Sequence, residues 1–163
     1  MAVVVRRAVL EDARTIAELA KKLVVQHQNY NSRRFAQIAT EKQMATFYGN
    51  QTKAKNAAVL VAELEGNVVG FAYLQFEEKD YAALLESAAW LHDIYVDESA
   101  RGHNAGKVLI EAAIQAAREF GANKLMLLAA AQNENAIAFF KRGDFKTTMV
   151  EMMLDLTGQK HND

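Results

Sequence analysis

Residues 91–107 read Leu-His-Asp-Ile-Tyr-Val-Asp-Glu-Ser-Ala-Arg-Gly-His-Asn-Ala-Gly-Lys. The first six residues have the apolar, β-branched and aromatic make-up of a strand. A short loop follows, and its two glycines open an amphipathic helix. A strand that empties into a helix N-terminus through a tight loop is an anion site. The first helical N–H groups have no partner within the helix, and the helix dipole favours negative charge there. Gly102 and Gly106 let backbone approach a ligand closely. Arg101 carries a charge suited to phosphate, and Lys107 offers a second. Taken alone, the same residues also describe an ordinary loop and helix start capped by Asn104.

Working outward, Val3–Val9 has strand composition, and Asp12 stands where a helix cap is needed. Ala13, Ile16, Ala17, Ala20, Leu23 and Val24 recur at helical spacing after it. Gln26–Arg34 is polar and loop-like, and a second helix is predicted over Phe35–Tyr48. Two apolar runs, Ala57–Leu64 and Val68–Phe76, flank the turn residues Glu65-Gly66-Asn67 and predict a hairpin. Glu77–Ser87 is mixed and charged. Ala88–Val96 is the next strand, and Asn104–Phe120 the next helix, stopped by Gly121. A strand over Lys124–Ala129, a helix over Asn133–Arg142 and a last strand over Phe145–Leu156 complete the order β-α-α-β-β-β-α-β-α-β. No linker, repeat or low-complexity stretch divides residues 1–163. The prediction is one α/β domain with a mixed central sheet flanked by helices.

Composition narrows the function. The 163 residues are 51% hydrophobic, which suits a packed core. A net charge of −1 gives no basic stripe for nucleic acid. The absence of cysteine excludes disulfides, thiolate metal sites and a cysteine nucleophile. No metal is expected. No run is long enough to span a bilayer, and the short N-terminal apolar run suits a strand better than a signal peptide. A cytoplasmic protein with neither nucleic-acid nor membrane partner is the expectation.

In order along the chain, several short motifs resemble the GNAT superfamily of N-acetyltransferases. Arg101 and Gly106 match its Arg/Gln-x-x-Gly-x-Gly/Ala loop, with Asn104 in the place of the central glycine. Arg6, Ala8, Asp12, Ile16 and Leu19 resemble its opening strand and helix. Gly66, Val69, Gly70 and Phe71 resemble its hairpin, and Asn133, Ala136, Ile137, Phe139 and Phe145 its late cofactor-side motif. The resemblance implies acetyl-coenzyme A as cofactor, its pantetheine lying between splayed fourth and fifth strands. It assigns main-chain pairing to Ile94, Tyr95 and Val96. Arg101, Gly102 and the N–H groups of His103, Asn104, Ala105, Gly106 and Lys107 would hold the pyrophosphate, and Asn133 the pantetheine. Phe140 falls on the cofactor side, where many relatives carry a tyrosine that protonates the departing thiolate. If a missing acid limits the rate, Phe140→Tyr raises turnover.

The implied reaction is direct attack of a primary amine on the thioester within a ternary complex. The amine is a polyamine, an aminoglycoside or a protein amine, and a homodimer is common among such proteins. A backbone N–H near Ile94 or Tyr95 would steady the oxyanion. The attack needs a base, and His92 and Asp93 lie late on the fourth strand. Strand alternation lets only one of them face the cleft. Histidine titrates near neutrality and suits the role. The plainer reading is a satisfied sheet histidine beside an edge acid. Tyr95 and Tyr81 are substitute acids or packing residues. Glu77, Glu78, Asp80 and Glu86 form either a cation-attracting rim or a solvated surface. Asn104 and Phe140 also motivate a reading from another class, a catalytically weak acyl-coenzyme A-binding or sensor domain. A nucleotide-binding regulator using the same loop stands third.

Overall fold

In the computed structural model, which describes residues 2–158, a two-residue turn at Glu65 and Gly66 closes the central hairpin. Both turn residues have positive φ, 53° and 77°. That matches the twist of the strands they join, β2 (Ala57–Leu64) and β3 (Asn67–Glu77). β1 (Val4–Arg7) pairs with β2, and β4 (Ala88–Val96) with β3, all antiparallel. β5 (Leu125–Leu127) joins β4 in parallel, giving a mixed sheet in the order β1-β2-β3-β4-β5. The alternation of β2 divides the core. Ala58, Leu60 and Ala62 meet α3 (Ala105–Glu119), on whose face of the sheet α4 (Glu134–Arg142) also lies. Ala57, Val59 and Val61 face α1 (Ala13–Tyr30) and α2 (Glu41–Gln51). Fully buried Phe71 fills that second layer. Phe71→Ala is expected to cost about 3–5 kcal/mol, read by denaturant unfolding.

Asp12 sits before α1 as predicted, but its carboxylate closes the preceding turn. It accepts from the Val9 N–H at 2.8 Å and from Arg6 at 2.7 Å. The Arg6 guanidinium holds that carboxyl below its usual range.

Three sequence expectations need correction. Gln26–Tyr30 belongs to α1, not to a loop; the His27 ring, 4.8 Å from that of Phe35, anchors the extra turn. α2 begins at Glu41 rather than Phe35, because Thr40 and Gln43 form a reciprocal capping box. The last strand, Phe145–Leu156, is not formed. Its composition suits a strand, but no turn folds it back along β5, and a strand without a neighbour has no ladder to join.

Candidate active site

β4 and β5 pair only at Ala89–Leu125, Trp90–Met126 and Leu91–Leu127. Beyond that point β4 continues to Val96, still paired with β3 but, among the described residues, with no partner on its β5 side. β4 thus runs on past the end of β5. It exposes main chain at Ile94, Tyr95 and Val96, which line a cleft of about 400 Å³ together with Gln26 and Asn29 of α1 and with Arg101. Lys22 pairs with Asp97, tying α1 to the end of β4 beside this cleft. The Lys22 ammonium brings the Asp97 carboxyl down to about 2.

The loop after β4 leads into the N-terminus of α3. Gly102 has φ 79° and Asn104 φ 59°. Asparagine thus adopts the left-handed conformation that a glycine would take there. Its side chain does not cap α3. Among the described residues, the N–H groups of Gly102, Asn104, Ala105, Gly106 and Lys107 meet no main-chain acceptor. His103 departs from expectation: its N–H already bonds the Ala100 carbonyl at 3.3 Å, and its Nδ1 lies 3.1 Å from the Arg101 carbonyl. Arg101 is exposed and paired with Glu98 at 2.8 Å, while Lys107 lies 4.0 Å from Glu111. A Cβ on Gly106 would meet only the Phe139 ring, at 3.5 Å. Free amides, a helix N-terminus and a movable guanidinium are the donor set a pyrophosphate requires.

The register between β3 and β4 jumps from Tyr73–Asp93 to Leu74–Leu91, leaving His92 as an extra residue. The bulge breaks the strand alternation that would send His92 and Asp93 to opposite faces. The Asp93 carboxylate accepts from the Tyr48 hydroxyl at 2.9 Å, on the α2 side. The His92 ring stacks on Tyr73, 5.6 Å away, on that same side. Burial pushes the Asp93 carboxyl above its usual range, against the opposing pull of the Tyr48 hydrogen bond and of His92 and His27. Burial also raises Tyr48, and it brings Tyr73 up to about 12. His92 Nε2 meets the Glu77 carboxylate. A carboxylate can only accept, so Nε2 carries a proton; in the neutral ring Nδ1 then keeps a lone pair. Burial raises the Tyr95 phenol, which therefore holds its proton.

Two other predicted residues sit differently from their implied roles. Asn133 Oδ1 caps α4 by accepting from the Ala136 N–H at 3.1 Å, leaving only its amide nitrogen to offer. Phe140 is 8% exposed, packed against Phe145 and the α3 core, so its ring has little surface for a ligand. A hydroxyl added there would enter the core, and Phe140→Tyr is now expected to bring no gain in turnover, measured by thiol release. Tyr81 is 78% exposed, with Lys79 over its ring 5.2 Å away. Sequence reading missed Tyr48, Tyr73 and the Glu77–His92 pairing. For Tyr73, Glu77 and His92 the linear signal is strand alternation, which the bulge breaks.

The family model described as Acetyltransferase (GNAT) family matches residues 24–144. An uncharacterized N-acetyltransferase of Methanocaldococcus jannaschii is 33% identical over 88 residues, which span 53% of this chain and 38% of that relative. A Bacillus halodurans protein superposes with TM-score 0.82 at 19% identity, covering 94% of this chain and 99% of the other. The aminoglycoside N-acetyltransferase AAC(6')-Iy in complex with CoA gives 0.77 at 16% identity, with 95% of each chain covered. Glucosamine-6-phosphate N-acetyltransferase from Arabidopsis thaliana gives 0.69 at 17%, covering 96% and 99%. At such identities the structural likeness speaks to the fold.

Proposed function

The chain belongs to the GNAT family of acetyltransferases, and from that premise we propose that it transfers an acetyl group from acetyl-coenzyme A to a primary amine. The observation that carries this reading is the open β4 edge running straight into the loop of unpartnered amides. When bound, the cofactor supplies an activated thioester carbonyl. The amides of Gly102 and of Asn104, Ala105, Gly106 and Lys107, with Arg101, would hold its pyrophosphate. The main chain of Ile94, Tyr95 and Val96 would pair with its pantetheine arm and polarise the carbonyl. Asn133 offers its amide nitrogen to the same arm. Ala105, almost wholly buried, seats the loop rather than touching the ligand through its side chain.

On the α2 face, the half-buried Asp93 carboxylate would draw an ammonium toward the bulge. His92 accepts its proton at Nδ1 while Glu77 steadies the resulting imidazolium through Nε2–H. The freed amine would attack the carbonyl directly; Tyr95 would give its proton to the departing thiolate and regain one from the nitrogen as the amide forms. The acidic and aromatic lining supports a small cationic amine as acceptor.

Calorimetric titration with acetyl-coenzyme A tests the first half, with one site per chain expected. Thiol release across polyamines, aminoglycosides and lysine peptides tests the second. Binding without turnover on any amine would instead support an acyl-coenzyme A sensor, and no binding would overturn the loop assignment.

A further inference from the structure

Trp90 is the single tryptophan of the chain. It stands in the Ala89–Leu91 stretch of β4 that is paired on both sides, opposite Gln75 of β3 and Met126 of β5. His92 follows two residues on. It is exposed and, as the extra residue of the bulge, has no partner in the register of β3 and β4. A bulged residue is left out of the ladder, so contacts of its side chain must fix the direction of its ring.

Those contacts are flat faces. The imidazole stacks on Trp90 with ring centroids 6.3 Å apart and planes inclined by 19°, and on Tyr73 at 5.6 Å and 26°. The register sets Trp90 at the level of Gln75 and Tyr73 at the level of Asp93, so His92 lies between the two along the strand. Tyr73 is itself pinned. It is buried, its hydroxyl donates to Gln75 Oε1 at 3.0 Å, and Phe47 meets it edge to face 5.4 Å away. With Glu77 at Nε2, the imidazole is held by stacked rings and at one edge, and Nδ1 is the nitrogen that remains. An aromatic face also attracts a cation within about 6 Å of its centre, so Tyr73, and Trp90 at the limit of that reach, favour the imidazolium that forms on proton uptake.

We propose that Trp90 is a positioning residue for the transfer: it steadies the His92 imidazole against Tyr73, so that Nδ1 meets the incoming ammonium in one fixed direction. The proposal rests on His92 as the base, and Trp90 acts through that imidazole alone.

Kinetics and the fluorescence of the full chain test this together. Trp90→Leu is expected to lower kcat roughly tenfold or more, the cost of a misdirected catalytic group, with KM for the amine and acetyl-coenzyme A affinity little changed. Trp90→Phe keeps a flat face and is expected to restore most of kcat. Thiol release with the best acceptor among polyamines, aminoglycosides and lysine peptides reads both. Trp90 also reports directly, because a protonated imidazole stacked on an indole quenches its emission and the neutral ring does so far less. Without any ligand, wild-type emission is expected to fall between pH 8 and pH 5, where histidines charge, and that of His92→Gln to stay flat. Glu77 of β3, Asp93 of β4 and His27 of α1 remain in that variant, and burial keeps Tyr48 of α2 and Tyr73 protonated, so a fall that persists comes from another group. Such persistence, or a wild-type emission indifferent to pH, overturns the proposal. So does Trp90→Leu at wild-type kcat, or Trp90→Phe no better than Trp90→Leu. Wild-type kcat in His92→Gln would overturn the base and the positioning role with it, a result distinct from a His92→Gln that loses kcat beside a Trp90→Leu that does not.

Discussion

His92→Gln is expected to lower kcat by about 10²–10⁴-fold, the usual worth of a positioned base, with coenzyme A affinity unchanged. The argument rests on geometry. The bulge removes His92 from the alternation of β4 and sets its ring on Tyr73, beside the face that Asp93 and Tyr48 share. Glu77 at Nε2 fixes which nitrogen is basic. Glu77→Gln is therefore expected to give a smaller loss in kcat than His92→Gln and to move the pH profile, because Glu77 acts through the imidazole. Asp93 adds a second pH signature. Burial raises its carboxyl above the ordinary range, so the charge that draws the ammonium is lost on acidification sooner than an exposed aspartate would lose it. KM for the amine is expected to rise as pH falls through that raised value, and Asp93→Asn to flatten the dependence. Stability runs the other way. A carboxyl raised by burial favours folding in its protonated form, and that contribution fades as pH rises through the raised value. Asp93→Asn is therefore expected to hold the melting temperature at neutral pH while lowering kcat/KM. A parallel loss of Tm and activity would make Asp93 a structural residue only.

The contrast between the loop and this cluster shows what a linear reading reaches. Strands Ala57–Leu64 and Ala88–Val96 were legible because uninterrupted apolar runs bounded by turn residues have few other solutions. The left-handed Asn104 was legible too, since few residue types accept that conformation. The bulge was not, because one extra residue leaves no mark on composition and reverses every later side chain relative to the expected face. The start of α2 was written in Thr40-Glu41-Lys42-Gln43, a capping signal outweighed by the aromatic at Phe35. Phe145–Leu156 misled for a different reason. Strand propensity reports a composition that suits a ladder, and among the described residues no neighbouring strand supplies one.

Gly106→Val is expected to weaken acetyl-coenzyme A binding by about 100-fold or more. That is the loss of one or two charge-assisted hydrogen bonds at about 1.5–3 kcal/mol each. The protein itself has room for the first added carbon. It would rest on the Phe139 ring at 3.5 Å, ordinary contact, and Gly106 lacks the positive φ that makes Gly102 intolerant of a side chain. A branched residue in the first turn of α3 costs well under 1 kcal/mol in helix propensity. Folding and ligand binding therefore separate cleanly at this position, as they would not at Gly70, where a Cβ would approach the Tyr95 carbonyl to 2.9 Å. Calorimetry with acetyl-coenzyme A, beside a thermal melt without it, reads both quantities. An unchanged melt with binding lost places the pyrophosphate against the α3 N-terminus. Wild-type affinity in the variant would mean that the amides at the start of α3 are not where the cofactor rests.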